Sequence, residues 1–474
     1  MKVCVVVPPI KDFYYTPHRG SFLGAHIVFV LLKEYLNLDA ELIVFPNLKK
    51  KPKTIPIPEE LSYLEEYIDK HEIGPLSFFK TYKIFGPNLE ECATFIAQKR
   101  PKLVFISCFA FCYSNETIEL AQKIKDVNSR IKIVVGGGGV SVFPEYFKNF
   151  QFIDEIITTE AEIGILEFFG RSAVDFILPQ ITQTIETKDH IYYSTYLTRG
   201  CPKECKFCSV SLVHGKRLRL VDEEKFFDLV YKLPDKKVFL NFEDDNVLLA
   251  KRYFIKVLEK MRAIKKNILF SCENGIDYTQ LDLSLLKRLV NLGFRQFNFS
   301  VGNINTKISE DQKRLNKLAL LEELLDYLAF NKIVSITYFI SGFKGENWKI
   351  ALENLIYLTK LPTRVGFSPF YPVPGIEGFK DKSIFLKMSP RLACGSSMWP
   401  WNNSLSTQDM ITLFRLTRFV NLWKKEHKTH EETDLLMKCI KDKRLYTFKK
   451  RKICEAKNYN KEMAKMFFEA FSLN

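Results

Sequence analysis

Thr198-Arg199-Gly200-Cys201-Pro202-Lys203-Glu204-Cys205-Lys206-Phe207-Cys208 sets three thiols at C-x3-C-x2-C spacing. With 11 cysteines among 474 residues, that pattern arises by chance roughly 0.006 times in a chain of this composition, so coincidence does not explain it. An iron–sulfur cubane ordinarily takes four thiolates. Three close cysteines with no fourth nearby therefore leave one iron open, just as catalytic metal sites keep a position for substrate and structural ones do not. Two other readings stay open on spacing alone: a zinc site completed by His214, and thiols with no ligand role. Gly200 ahead of the first thiol and Phe207 beside the last suit a tight loop around a cluster, and the strand-like run 191–197 leads directly into it.

Towards the amino terminus, apolar runs alternate with helical patterns. Val3–Ile10 reads as a buried parallel strand interrupted by Pro8-Pro9 at its end, with further strands over 41–45, 103–107, 131–135 and 155–159. Helices are predicted over 89–98, 116–125 and 162–169, and Ser21 is expected to cap a helix carrying Leu23, Ile27, Leu31 and Tyr35. Strict alternation predicts a flavodoxin- or Rossmann-like doubly wound sheet with ligands beyond the carboxyl ends of its strands. The ligand loops are then 8–20, 108–114 and 136–140. Four consecutive glycines, Gly136, Gly137, Gly138 and Gly139, follow one strand, which lets backbone approach a large flat ligand; an ordinary flexible turn is the alternative. Residues 47–83 break the alternation and read as an insertion over the active-site face, a possible lid.

Beyond the cysteines, βα units resume. The strand over 237–242 ends in Phe242-Glu243-Asp244-Asp245-Asn246, either a surface turn or a carboxylate cluster at the top of a barrel strand. Glu273, Asn274 and Ser300 also stand just past apolar strands, where ribose hydroxyls and a carboxylate would find partners. From about residue 381 only helical periodicity is legible. Trp399 and Trp401 read as core, Cys394, Cys439 and Cys454 as too scattered for a second cluster, and His427 and His430 as exposed.

The stretch TRGCPKECKFC resembles the signature of radical S-adenosylmethionine (SAM) enzymes. VVGGGG, followed by IDEIITTEAEIGILEFF, resembles the cobalamin-binding domain of the class B subgroup, with Glu160 and Glu162 at its two acidic positions and Thr159 replacing a glycine. The segments ending in Asn246, Glu346 and Gly375 resemble further landmarks of the barrel, in the same order. This resemblance implies a cobalamin-binding-like α/β domain over 1–175, a partial (β/α)6 barrel over 176–380 and a small helical region over 381–474. It implies a 4Fe-4S cluster on Cys201, Cys205 and Cys208, and SAM beside Phe207, Glu243, Asp244, Glu273, Asn274 and Ser300. Cobalamin would sit against Pro8, Pro9, Ser107, Gly136–Gly139 and Glu160. The D-x-H-x-x-G motif is absent, since Asp12 and His18 are not at its spacing, so cobalt would have no histidine below it. The implied activity is generation of a 5′-deoxyadenosyl radical and methylation of an unactivated carbon or phosphorus; cyclisation, ring contraction and carbon–carbon coupling occur in the same subgroup.

Composition bounds the rest. Met1-Lys2 runs straight into a strand, no apolar stretch nears the roughly 20 residues of a membrane span, and the irregular cysteines suit a reducing cytoplasm and an anaerobic setting. The net charge of +15 comes from lysine spread along the chain with no aromatic-interleaved RNA-binding signature, so a basic surface or an anionic substrate is expected rather than a nucleic-acid partner. A tRNA methylthiotransferase would need an additional cysteine triplet and an RNA-binding domain, which this sequence does not show. A non-catalytic cobalamin or redox sensor would lack residues for SAM. A low-potential donor such as ferredoxin or flavodoxin is the expected electron source.

Overall fold

The computed structural model describes all residues except 18–19, 49–50, 69–75, 174–175, 427–443, 446–453, 456–457 and 473–474. His18, His427, His430, Cys439 and the expected boundary at 175 therefore lie outside the described residues.

Five parallel strands form the first sheet, in the spatial order Asp39–Val44, Lys2–Val7, Leu103–Ser107, Lys132–Gly136, Glu155–Ile157. In chain order this is 2-1-3-4-5, the flavodoxin-like winding, with its switch point between the strands that end at Val7 and Ser107. Alternation explains the two faces. Val3, Val5 and Val7 enter the core shared with the second sheet, whereas Cys4 and Val6 enter the core under helices Leu89–Gln98 and Ser114–Val127. The first of those helices starts where the sequence says it should: Asn88 and Glu91 form a reciprocal capping box.

The second sheet has seven strands. Ile181–Glu186 runs antiparallel to Ile191–Thr195, and five more follow in parallel: Val238–Phe242, Ile268–Ile276, Phe294–Gly302, Val334–Ser341 and Arg364–Pro369. These six parallel strands are the partial (β/α)6 barrel. The chain has 41 phenylalanines, and several of them fill the layer between sheet and helices: Phe242, Phe254, Phe270, Phe294 and Phe297 are fully buried with neighbouring ring centroids 5.2–6.2 Å apart.

Two expectations are corrected. Ser21 does not cap the helix Leu23–Val30; Phe22 occupies that position with φ 46°, and the Ser21 hydroxyl donates to Glu243 Oε2 at 2.9 Å instead. A carboxylate on the other sheet wins the hydroxyl that local spacing assigned to the helix. A π-turn over Leu31–Tyr35 then rotates Tyr35 off the apolar stripe, leaving it 39% exposed. The second correction concerns residues 47–83. Strands Lys53–Ile55 and Tyr82–Phe85 make an antiparallel sheet with Ile10–Asp12, and Leu61, Leu64, Tyr67, Leu76 and Phe78 are buried in one core with Met398, Met410, Phe419, Met463 and Phe467 of the carboxy-terminal region. Tyr63 donates to Ser397 O at 2.5 Å and Arg418 to Ser77 O at 2.6 Å. The described residues of this segment form an integral wall rather than a lid. Trp399 packs edge-on against Tyr63 in that wall, while Trp401 donates to Leu392 O and packs on Phe385. Among the described residues no helix is long and apolar enough to cross a membrane.

Candidate active site

The three cysteines lie on a loop whose two ends pair as a short antiparallel ladder, Thr198–Arg199 against Arg219–Leu220. Gly200 turns out of that ladder with φ 86°, and a Cβ there would overlap the Arg217 carbonyl, so this position accepts glycine alone without rearrangement. Gly200 N donates to Asp245 Oδ2 at 2.8 Å, and His214 Nδ1 lies 2.9 Å from the same oxygen. Cys201 N donates to Gly215 O and Cys208 N to Cys205 O, while the Cys205 thiol faces Lys313 O at 3.8 Å. All three thiols are partly accessible. Burial, then the charges of Cys205 and Cys201, push the Cys208 thiol up to about 11.

The end of strand Val238–Phe242 braces this loop. Asp244 is buried, and its Oδ1 accepts from Leu197 N at 3.0 Å, Thr198 N at 2.6 Å and Thr198 Oγ1 at 2.7 Å. Burial raises its pKa to about 7. Asn246, also buried, places Nδ2 4.0 Å from the Cys201 sulfur and leaves Oδ1 without a partner. Glu243 accepts from Ser21. Glu273 and Ser300 are half-buried and Asn274 exposed on the same rim of strand ends, and Phe207 packs on Phe343 with centroids 5.6 Å apart. Nearby Asp277 pairs with Lys203 and, at 3.6 Å, with Arg314; against the effect of burial, Arg314 and then Lys203 hold its carboxyl below the usual range. Glu346, the acid of the Gly342–Glu346 turn, is buried under Gly342 N, Phe343 N, Asn303 and Ser341, and burial lifts it to about 6.

The facing edge of the first sheet presents Ser107, half-buried, and the glycine run. Gly137 is exposed with φ 105°, Gly136 and Gly138 are half-exposed, and a Cβ on Gly139 would lie 2.6 Å from the Cys108 sulfur and 2.8 Å from Phe111 N. The glycines let this turn lie flat against the Cys108–Phe111 loop, on which Phe109 stands 40% exposed. Pro8 and Pro9 are buried. Glu160 lies at the edge of the same domain, where it meets Arg199 Nη1 at 3.1 Å and pairs with Arg219.

Sequence reasoning had no signal for Arg219. Arg199, Asp245 and Asn246 stand inside motifs that were legible, yet only the fold shows that Asp244 turns inward and Asn246 turns towards the thiols.

Residues 195–355 match the family model described as the radical SAM superfamily. Residues 195–355 thus carry a radical SAM domain, and the two-sheet fold is shared with solved structures of cobalamin-dependent radical SAM enzymes. The chain is 28% identical over 194 residues to bacteriochlorophyllide d C-12(1)-methyltransferase of Chlorobaculum tepidum, covering 39% of this chain and 41% of the relative. To the hopanoid C-3 methylase of Methylococcus capsulatus it is 22% identical, covering 40% and 36%. The chain thus spans less than half the length of these relatives. Among solved structures, the radical SAM methyltransferase TsrM of Kitasatospora setae superposes with a TM-score of 0.53 at 14% identity over 77% of this chain and 72% of that one. The cobalamin-dependent radical SAM enzyme OxsB gives 0.52 at 13% identity over 90% and 62%.

The donor set fits the groups this fold implies. Thiolates are the donors an iron–sulfur cluster takes, and Cys201, Cys205 and Cys208 share one partly accessible loop; among the described residues no three Cys, His, Asp or Glu side chains are placed to hold a single metal ion. The orphaned amide oxygen of Asn246 beside Cys201 suits an ammonium donor. The flat glycine turn with exposed Phe109 suits a broad planar ligand.

Proposed function

We propose that this chain is a cobalamin-dependent radical SAM methyltransferase acting on an unactivated carbon or phosphorus of a substrate held between the barrel mouth and the glycine edge of the first sheet. The observation that carries this reading is a three-thiol loop, braced by Asp244 and Asp245, beside the unpartnered Oδ1 of Asn246. Cys201, Cys205 and Cys208 would hold a 4Fe-4S cluster. Asn246 would accept from the SAM ammonium, and Glu273, Asn274 and Ser300 would line the ribose and carboxylate side. Ser107 and Gly136–Gly138 would carry the corrin, with Phe109 against it. When bound, these cofactors supply a 5′-deoxyadenosyl radical and a transferable methyl group.

The protein's own work is placement. Asp244 holds the loop entry through backbone amides, Gly200 permits the turn, and Phe207, packed on Phe343, would shield the side of the cluster next to Cys208. A ferredoxin or flavodoxin would supply the electron. The test is anaerobic reconstitution with iron, sulfide and cobalamin, reduction, and incubation with SAM. Release of 5′-deoxyadenosine together with S-adenosylhomocysteine supports the reading. An intact cluster with neither product points to a sensor, and zinc in place of iron overturns it.

A further inference from the structure

We infer that Glu160 is a positioning residue for the cluster loop rather than a corrin contact: from the first domain, one carboxylate pins both strands of the loop's neck. The inference rests on the reading of Cys201, Cys205 and Cys208 as cluster ligands. Glu160 Oε2 accepts from Arg199 Nη1 at 3.1 Å and from Arg219 Nη1 at 3.0 Å, and Oε1 pairs with Arg219 Nη2. Arg199 lies two residues before Cys201, and Arg219 is its partner in the antiparallel ladder. Both oxygens are therefore engaged by the loop that carries the thiols.

The contact is built, not incidental. The Glu160 side chain is 12% exposed and Arg199 9%. Against the effect of burial, Arg219 and then Arg199 hold the Glu160 carboxyl below its ordinary range. Glu162, 3% exposed, adds a second oxygen to Arg199 Nη1 at 3.0 Å and is itself fixed by Leu178 N at 3.1 Å. The Arg199 guanidinium stacks 4.6 Å from the Tyr196 ring centroid and donates to its hydroxyl at 2.7 Å. On the other strand Arg219 donates to His214 O, the His214 ring meets Asp245, and Asp245 receives Gly200 N. These bonds close a ring around the neck: Glu160, Arg219, His214, Asp245, Gly200, Arg199. Without Glu160, two guanidinium groups of like charge face each other across the ladder with half their counter-charge gone, and the neck is driven open. The acidic positions of the first domain thereby act on the metal loop of the second.

The test uses the full chain, reconstituted anaerobically, as wild type, Glu160→Gln, Arg219→Met and the double variant. Three quantities are read: the bleaching rate of the cluster under an iron chelator, the equilibrium affinity for hydroxocobalamin, and the electron paramagnetic resonance spectrum of the reduced cluster. Each single variant is expected to lose its cluster roughly tenfold faster and to show an altered spectrum, with cobalamin affinity kept within about twofold. The double variant should fall short of the summed effect of the singles, because both break the Glu160–Arg219 pair. Weaker cobalamin binding with unchanged cluster lability in Glu160→Gln would overturn the inference and make Glu160 a corrin contact; unchanged values throughout would overturn it too. Should Glu160→Gln fail to fold, Arg219→Met carries the same test from the barrel side. A wild-type protein that takes no iron cluster defeats the reading of the thiols themselves, a result distinct from either.

Discussion

Replacing Gly200 by alanine tests the geometry of the metal loop more sharply than removing a thiol, because Gly215 in the same loop supplies an internal control. Both glycines adopt positive φ, 86° and 74°. An L-residue in that region costs about 1–2 kcal/mol. At Gly215 nothing lies within 4 Å of the added methyl, so that conformational cost is the whole effect. At Gly200 the methyl also overlaps the Arg217 carbonyl, a backbone atom that cannot swing aside as a flexible side chain would. Adding that clash brings Gly200→Ala to about 3 kcal/mol or more. The assay is amide hydrogen exchange of peptides spanning residues 198–221, which reports local opening directly and does not require the whole chain to unfold in one step. Exchange in Gly200→Ala should exceed that in Gly215→Ala by roughly 5- to 30-fold, and iron retention after reconstitution should fall in the same order. Equal exchange in the two variants, or wild-type protection in Gly200→Ala, would show that the loop does not turn as described.

Three further outcomes are expected. Alanine at Cys201, Cys205 or Cys208 should abolish the iron-dependent absorbance of reconstituted protein, whereas alanine at the buried Cys92 should leave it intact, as iron counting checks. Arg391 and Glu116, paired at 2.5 Å and nearly inaccessible, join the carboxy-terminal region to the first domain. Arg391→Met should destabilise by about 3–5 kcal/mol because it strands a buried carboxylate, and adding Glu116→Leu should restore most of that in denaturant titrations. Glu346, raised to about 6 from 4.5 by burial, binds its proton more tightly in the folded chain. Its contribution is fully present below pH 4.5 and lost as pH rises through about 6, a fall of about 2 kcal/mol that Glu346→Gln should remove when unfolding is measured across that range.

The sheets were legible because their signals are local. Val3, Cys4, Val5, Val6 and Val7 announce a strand buried on both faces, and Asn88 with Glu91 announces a helix start, without reference to anything distant. Failures came where a distant partner decides. Ser21 looks like a cap until Glu243 is brought beside it from another sheet. Asp244 and Asn246 are one turn residue apart in sequence, and only the burial of Asp244 beneath Leu197 and Thr198 assigns one to the brace and the other to the thiols. Leu61, Leu64 and Phe78 gave no hint of structure because the apolar surface they need lies more than 300 residues later. Glu160 kept the spacing of a ligand-binding motif while its oxygens were taken by two arginines, a pairing no pattern in the chain encodes.

The wall built from residues 61–68 and 76–82 and helices Thr407–Glu426 and Lys461–Ser472 bears on how the protein is made. As the polypeptide leaves the ribosome, the early aromatic segment emerges long before the helices that will cover it, and domains otherwise tend to fold in order of synthesis. Phe78 and Leu64 must stay exposed, or be sheltered by a chaperone, until translation has nearly reached residue 470. Nascent chains stalled ahead of Lys461 should therefore be cut by protease between residues 55 and 82, and become resistant once the last helix has been released.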